Sequence, residues 1–230
     1  FYPVVFHETN PDPTAPTVRQ GGSAFAEICL NRRDLPGPVT VEVSGLPKGV
    51  TCPPVLVSPQ ALYIGVICDD PDPTGIVSYT KQRDGNLKSE DHIRVVLGTA
   101  LDGRSGYVFQ INPGGARYDA LVNPGGDSEN SNWDGIWDAA TVRTAEGWSA
   151  EIWIPMQSLG FQKGLDTWHF NVERRVQRLQ ETDRWASPRR DWKLTQTSRA
   201  GRLTDLPPLT QGRGLSVRPA VTGGGGIAQA

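Results

Sequence analysis

Short stretches of alternating apolar and polar residues run along most of the chain and predict β-strands. Alternation with a period of two places apolar side chains on one face of a strand and polar side chains on the other. Residues 39–43, VTVEV, show this pattern in its simplest form, and residues 62–68 form a mostly apolar run that aspartates and prolines end. Further strands are predicted at residues 92–97, 107–111, 117–122, 137–144, 148–154 and 168–178.

Turn signals separate these strands at short intervals. The motif Asn-Pro-Gly-Gly follows the strand that ends at residue 111 and occurs again after the strand that ends at residue 122. Helix signals are few, and only residues 155–159, which begin with proline, are predicted to form one helical turn. Many short strands with frequent turns predict an all-β chain folded as an antiparallel β-sandwich.

A shift in composition near residue 59 divides the chain. The residues before it are rich in proline and poor in aromatic side chains, whereas all seven tryptophans and most hairpin signals follow it. We therefore interpret residues 1–59 and 60–206 as separate units. Residues 207–230 are rich in proline and glycine and are predicted to form a poorly ordered tail or linker.

Charge and cysteine content narrow the possible functions. The chain has 23 basic and 25 acidic residues, and this balance predicts no nucleic-acid partner. Three scattered histidines and the absence of Cys-x-x-Cys spacing argue against a zinc site or a histidine-based catalytic site. No apolar run approaches the roughly 20 residues that a membrane-spanning helix needs. Because the chain begins Phe-Tyr-Pro, we expect it to be a piece of a longer protein.

Tryptophan beside polar side chains indicates a saccharide-binding surface in one interpretation and core packing in the other. An indole offers a flat apolar face to a sugar ring, while carboxylates, amides and guanidinium groups satisfy the sugar hydroxyls. Three places have this composition. The residues that we predict to bind saccharide are Trp133, Asp134, Asn132, Trp153, Trp137, Arg117, Asn171 and Arg175.

The first place is the stretch NSNWDGIWDAA, residues 130–140. Trp133 and Trp137 share one face if this stretch is extended, because their separation is even. Asn132 and Asp134 supply hydrogen-bonding groups beside them. In the alternative interpretation, Trp137 begins a core strand and Trp133 covers the end of the sandwich.

The second and third places are strands with polar faces. Trp153 lies on the polar face of the strand at 148–154, where it either binds sugar or is covered by the N-terminal segment. Asn171 and Arg175 belong to the polar face of the strand at 168–178. That face either lines a concave sheet or is solvated and held by ion pairs.

Oxygen-rich positions suggest calcium as a structural cofactor. The run NxNxDG at residues 130–135 alternates oxygen ligands as a calcium loop does, but its twelfth position is Thr141 instead of the required glutamate. The residues that we expect to bind calcium are Asp69, Asp70 and Asn130.

Other chemistry finds little support in the sequence. Cys29 and Cys52 flank a predicted strand pair and are expected to form a disulfide in an oxidising compartment. Glu151 and Glu173 are acidic, as a glycosidase pair must be, but the sequence does not bring them to the required distance. Because no nucleophile elbow or phosphate loop is visible, we expect no enzyme activity.

Residues 60–206 resemble the carbohydrate-binding module family 9-like domain, in the version found at the front of large bacterial cell-envelope proteins. The blocks that carry the resemblance are ALYIGV (61–66), DD (69–70), RDG (83–85), GYVF (106–109), NPGG (112–115), WDGIWDAA (133–140), GWSAEIWIP (147–155), WHFNVERR (168–175) and GRL (201–203). The resemblance implies an antiparallel β-sandwich, structural calcium, a polysaccharide or oligosaccharide ligand, and association with polysaccharide catabolism. It also implies a secreted, periplasmic or outer-membrane-associated location, with downstream domains of the parent protein as partners.

The N-terminal residues resemble part of a bacterial immunoglobulin-like repeat, through PVTVEV (38–43) and GLPKGVT (45–51). This resemblance implies a partial immunoglobulin-like β segment in residues 1–59. The family's opening strand and early tryptophan segment are absent before residue 60. Two functions therefore stay open: a non-catalytic carbohydrate-binding module, and a structural β-sandwich of a larger cell-envelope protein that binds no sugar.

Overall fold

The computed structural model describes residues 55–187 and 189–211 of the chain. Most of the predicted immunoglobulin-like segment, and the predicted disulfide between Cys29 and Cys52, lie outside these residues. The third cysteine, Cys68, is a buried free thiol, and burial raises its pKa to about 12. No helix in the described ranges is both long and apolar enough to cross a membrane.

Short strands dominate the described residues, as the alternation predicted. The strands are β1 (Val55–Val57), β2 (Ala61–Asp69), β3 (His92–Gly98), β4 (Gly106–Ile111), β5 (Arg117–Val122), β6 (Glu129–Asn130), β7 (Asp138–Arg143), β8 (Gly147–Pro155), β9 (Trp168–Val176), β10 (Glu181–Arg184) and β11 (Gly201–Leu203). Single 3₁₀ turns occur at Pro73–Gly75, Met156–Ser158 and Thr197–Arg199. All seven strands predicted beyond residue 60 are present, and the turn at Met156–Ser158 confirms the predicted helical turn.

Two antiparallel sheets form a sandwich, which confirms the predicted fold class. The first sheet has the strand order β1-β2-β8-β7, and the second has the order β10-β9-β3-β4-β5-β6. Two short strands share one edge of β9: β11 pairs with the first half of β9, and β10 pairs with the second half of β9. The second sheet thus contains seven strands and exposes a broad outer face.

The core lies between the inner faces of the two sheets, and alternation along each strand decides which side chains enter it. In β8, Trp148 and Ile152 are at most 2% exposed, whereas Glu151 and Trp153 point outward. The other sheet contributes Phe109 and its inward neighbours to the same apolar cluster. The predicted separation of β8 into an apolar face and a polar face that carries Trp153 is therefore confirmed.

The folded unit extends beyond both ends of the predicted range 60–206. Strand β1 precedes residue 60, pairs with β2 and buries Val55 and Val57 in the core. At the other end, the backbone N–H and the hydroxyl of Thr210 each donate a hydrogen bond of 2.9 Å to the carbonyl of Pro59. The first residues of the predicted tail are thus bonded to the sandwich, and residues 212–230 lie outside the described structure.

The outer face of the four-stranded sheet carries large apolar side chains that are exposed to solvent. Tyr63 and Trp153 lie directly opposite each other on β2 and β8 and are 40% and 39% exposed, and Ile67 and Val142 are near 60%. Surface apolar residues contribute little to stability. We expect Trp153→Ala to lower the free energy of unfolding by less than about 1 kcal/mol in urea denaturation. A loss above about 2 kcal/mol would show that another part of the chain covers this face.

Candidate functional site

A pocket of about 680 Å³ opens on the outer face of the seven-stranded sheet. Its floor is a row of side chains that lie opposite one another on five neighbouring strands. In order from β10 to β5, the row consists of Arg184, Glu173, Arg94, Gln110 and Tyr118. Because the neighbours of Glu173, Arg94 and Gln110 along their strands enter the core, alternation presents this row outward.

Ion pairs fix the floor of the pocket. Arg184 donates hydrogen bonds of 2.6 and 3.1 Å to one carboxylate oxygen of Glu173. Arg94 forms an ion pair with Glu129, and the hydroxyl of Tyr118 donates to the other carboxylate oxygen of Glu129 at 3.2 Å. Burial and the charge of Glu129 raise the pKa of Tyr118 to about 12, so this hydroxyl stays a donor. The row therefore presents alternating donors and acceptors in fixed positions.

His92 lines the same pocket in its neutral form. Its Nδ1 lies 3.1 Å from the carbonyl oxygen of Leu87 and 2.9 Å from that of Glu90. A carbonyl only accepts hydrogen bonds, so Nδ1 carries the proton and Nε2 is left as an acceptor. Burial lowers the pKa of His92 below its usual value; the bond to the Glu90 carbonyl opposes this shift, and the charge of Arg94 adds to it.

One wall of the pocket is the loop at residues 84–88, and a buried carboxylate holds this loop against the sheet. Glu90 is fully buried and accepts the backbone N–H groups of Tyr79 and Thr80 at 2.9 and 3.2 Å. It also accepts the side-chain amide of Asn112 at 2.8 Å. These bonds join the chain before the loop, at residues 79–80, and the chain after it, at residue 90, to Asn112 in the turn after β4.

The opposite wall is the segment at residues 192–195. Leu194 is buried in a small apolar cluster on the outer face of the sheet. The carbonyl of Trp192 accepts a hydrogen bond of 2.8 Å from Arg184, and the hydroxyl of Thr195 donates to Gly126 at 2.6 Å. The half-buried indole of Trp192 is thereby held at the edge of the pocket.

The charged side chains that line the pocket balance one another. Four acidic residues face four basic residues, and these are Asp84, Asp127, Glu129 and Glu173 against Lys88, Arg94, Arg184 and Lys193. With His92 neutral, the lining carries no formal net charge. Such a site attracts neither cations nor anions by its overall field, and its many donors and acceptors suit a neutral ligand that is rich in hydroxyl groups.

None of the eight residues predicted to bind saccharide lines this pocket. Trp133 is half-buried, and its ring centroid lies 5.0 Å from that of Tyr107 and 6.0 Å from that of Phe109. Trp137 is 3% exposed, and its indole N–H donates to Asp119 at 2.9 Å. Trp137 is therefore a core residue, as the alternative interpretation of this stretch expects, and Trp133 is partly buried against the same core cluster.

The polar residues of the same stretch are engaged in local contacts. Asp134 accepts a hydrogen bond of 2.5 Å from Arg83, and the amide oxygen of Asn130 accepts the backbone N–H of Asn132 at 3.1 Å. Arg117 pairs with a neighbouring carboxylate, donates to the carbonyl of residue 137 at 3.0 Å and lies over the ring of that tryptophan. These bonds shape the loop between β6 and β7.

The remaining predicted residues are separated by the fold. Trp153 is exposed on the opposite side of the sandwich from the pocket. Asn171 is on the outer face of β9 but is only 2% exposed. Its side-chain amide accepts a hydrogen bond from the backbone N–H of Ala186 and donates one to the carbonyl of Ala186. Arg175 donates to polar neighbours, including Gln180 at 2.7 Å. The polar face of β9 nevertheless contributes Glu173 to the pocket.

The residues predicted to bind calcium do not form a cluster. Asp70 is buried and paired with Arg178 and Arg174, whereas Asp69 is exposed. Burial alone would raise the pKa of Asp70, but the bonds from the N–H of Asp72 and from Arg178 lower it below its usual value. Within residues 55–187 and 189–211, no three His, Cys, Asp or Glu side chains are grouped as metal ligands. Calcium binding stays a prediction from the sequence.

The carboxylates of Glu151 and Glu173 lie on opposite outer faces of the sandwich, so they cannot act on one bond. Four pocket residues, His92, Arg94, Gln110 and Tyr118, belong to predicted strands that the sequence did not single out as a site, whereas Arg184 and the wall residues lie in segments that were not predicted as strands. Arg94 and Gln110 interrupt otherwise apolar strands with polar side chains, and this was the signal available; Tyr118 shares its side of β5 with the apolar Ala120 and Val122 and gave no such signal. Only the pairing of the strands brings Arg94, Gln110 and Tyr118 into one row.

Comparison with solved structures identifies similar folds. A "putative carbohydrate-binding protein" from Bacteroides uniformis matches over 73% of this chain and 79% of its own, with 12% sequence identity and a TM-score of 0.51. The two proteins share a fold. The resemblance expected from the sequence is thereby confirmed at the level of the β-sandwich, while the immunoglobulin-like part of that expectation is not addressed.

Two further structures are similar at a lower level. Both are family 9 carbohydrate-binding modules from Caldicellulosiruptor kristjanssonii, one in complex with glucose and the other with cellotriose. Each has a TM-score of 0.44 and covers 72% of this chain and 78% of its own, with 11% and 12% identity. No family model and no curated protein matches this chain.

Proposed function

We propose that this chain is a saccharide-binding module and that its ligand occupies the pocket on the outer face of the seven-stranded sheet. The observation that carries the proposal is the lining of this pocket, which combines balanced charges with the rings of Tyr118 and Trp192. Its volume of about 680 Å³ falls within the usual range of small-ligand sites.

The chemistry of the floor suits sugar hydroxyls. Each hydroxyl both donates and accepts, so it binds best where an acceptor and a donor stand side by side. Glu173 beside Arg184, and Glu129 beside Arg94, supply such neighbours at fixed distances. A ligand without hydroxyls would displace water from these ion-paired groups without replacing the hydrogen bonds that the water made, which costs free energy.

The shared fold adds independent but weaker support. The similar structure from Bacteroides uniformis is described as a carbohydrate-binding protein. A fold alone does not determine function, so the proposal rests on the pocket. A role without catalysis, an association with polysaccharide catabolism and a location outside the cytoplasm remain predictions from the sequence resemblance.

The test is a titration of the full chain with neutral oligosaccharides, followed by calorimetry. We expect Trp192→Ala to weaken binding by at least about tenfold, because it removes the indole side chain from one wall of the pocket. Trp153→Ala is the matched control, since it removes an exposed indole on the opposite sheet. We expect it to leave the affinity unchanged.

Two results would contradict the proposal. The first is that no oligosaccharide binds the full chain at millimolar concentration. The second is that Trp153→Ala abolishes binding while Trp192→Ala preserves it. Tyr118→Ala is a further pocket variant, to be used if thermal unfolding shows that Trp192→Ala has lost its fold.

A second candidate function rests on the exposed face of Tyr63, Ile67, Val142 and Trp153. Two of these side chains are aliphatic, and aliphatic groups suit contact with protein more than contact with sugar. This patch favours a structural role in which the sandwich packs against another part of its parent protein. Both functions are compatible, because the patch and the pocket lie on different sheets.

A further inference from the structure

The chain around the Trp192 wall of the pocket is strongly basic. Between residues 189 and 202 there are five basic residues and one acidic residue, and these are Arg189, Arg190, Lys193, Arg199 and Arg202 against Asp191. The formal charge of this segment is thus about +4, whereas the whole chain carries −2. We call residues 189–202 the basic segment.

Trp192 organises the guanidinium groups of this segment. The Cζ atoms of Arg189 and Arg199 lie 4.8 and 4.7 Å from the centroid of the Trp192 ring. Guanidinium groups stack on indole in this way and keep the N–H groups at their edges available. The carbonyl of Arg199 also accepts a hydrogen bond of 2.5 Å from the hydroxyl of Ser187, which fixes its backbone.

The acidic residues near the basic segment neutralise only part of it. Asp191 binds Arg189 through two hydrogen bonds of 3.0 Å, and Asp127 lies 3.7 Å from Lys193. Arg190, Arg199 and Arg202 are exposed and have no carboxylate at salt-bridge distance within the described ranges. Of these three cations, Arg199 lies beside the pocket through its contact with Trp192, and the pocket's own charges are balanced.

We propose that the basic segment binds the acid groups of an anionic polysaccharide, with Arg199 as the first contact beside the pocket. The proposal rests on the proposed saccharide function and narrows its ligand to a glycan that carries carboxylates or sulfate esters. One sugar ring occupies the pocket, and acid groups on that ring or the next reach the guanidinium groups. Arginine suits both kinds of acid group, because its planar fork donates two parallel hydrogen bonds to a carboxylate or a sulfate.

The experiment compares neutral trisaccharides of glucose, galactose and mannose with their uronic acid forms and with their sulfate esters, on the full chain at low salt. We expect the acidic member of at least one pair to bind about tenfold tighter than its neutral partner. This preference should decrease as salt is added, because exposed charges are screened. The uronate and sulfate arms then show which acid group is preferred.

Arg199→Gln should remove most of the preference while the affinity for the neutral trisaccharide stays the same. Arg143→Gln, a change of equal charge on the four-stranded sheet, should retain the preference. The proposal is overturned if the neutral and acidic trisaccharides bind equally, or if Arg199→Gln keeps the preference for the acidic form. It is also overturned if inorganic sulfate, added at the same concentration of negative charge, competes for the site as well as the acidic trisaccharide does. If the neutral trisaccharides bind and the acidic ones bind no tighter, only this proposal is overturned. If no trisaccharide binds, the proposed saccharide function is overturned as well.

Discussion

Replacing Asp119 by alanine is expected to lower the free energy of unfolding by about 3–5 kcal/mol. The carboxylate is completely buried and accepts hydrogen bonds from Arg83 at 2.7 Å, from the backbone N–H of Gly135 at 2.7 Å and from the indole of Trp137 at 2.9 Å. Alanine would leave all three donors without this partner. Chemical denaturation followed by tryptophan fluorescence measures the loss.

Asp138→Ala is the matched control for this prediction. Asp138 also pairs with an arginine, Arg117, but its side chain is 52% exposed. Solvent screens such a pair, and its removal should cost less than about 1 kcal/mol. Equal losses for Asp119→Ala and Asp138→Ala would mean that the buried carboxylate does not hold the loop that contains Trp133.

Long strands could be predicted because each has enough residues to show its period. The nine-residue strand β8 alternates clearly and its buried side matches the expected one, while the equally long β2 was recognised as a mostly apolar run. Strands β1, β6, β10 and β11 have two to four residues, too few to show a period. They exist because longer strands offer them hydrogen-bonding edges, and such pairing depends on residues that are distant in the sequence.

The candidate site was harder to predict because it depends on register. Arg94 and Glu173 are 79 positions apart, yet they are direct neighbours on β3 and β9. Composition drew attention to tryptophan beside aspartate in residues 133–138 instead. A buried indole N–H needs an acceptor, and in this loop Asp119 from β5 supplies it for Trp137. In the structure, this pattern therefore serves to pack Trp137 into the core, and saccharide binding by this stretch stays a prediction.

Glu90→Ala is expected to lower the free energy of unfolding by about 3 kcal/mol or more and to weaken saccharide binding as well. The change leaves the N–H groups of Tyr79 and Thr80 and the amide of Asn112 without their buried acceptor. Since these bonds hold the loop at residues 84–88, one wall of the pocket should lose its position. Denaturation measures the first effect, and calorimetry with the sugar that binds the unmodified chain measures the second.

The pH dependence of stability distinguishes the contribution of the charge of Glu90 from the contribution of its packing. Burial alone would raise the pKa of Glu90, but hydrogen bonds from Thr80, Asn112 and Tyr79 outweigh burial and leave the pKa below 4.5. A lowered pKa in the folded state gives stability that is present above about pH 4.5 and is lost as the pH falls through the folded-state pKa. Glu90→Gln keeps the shape without the charge, so its stability should fall less steeply below pH 4.5 than that of the unmodified chain. Parallel curves for the two proteins would show that folding does not change the pKa of Glu90 and that the loop is held without its charge.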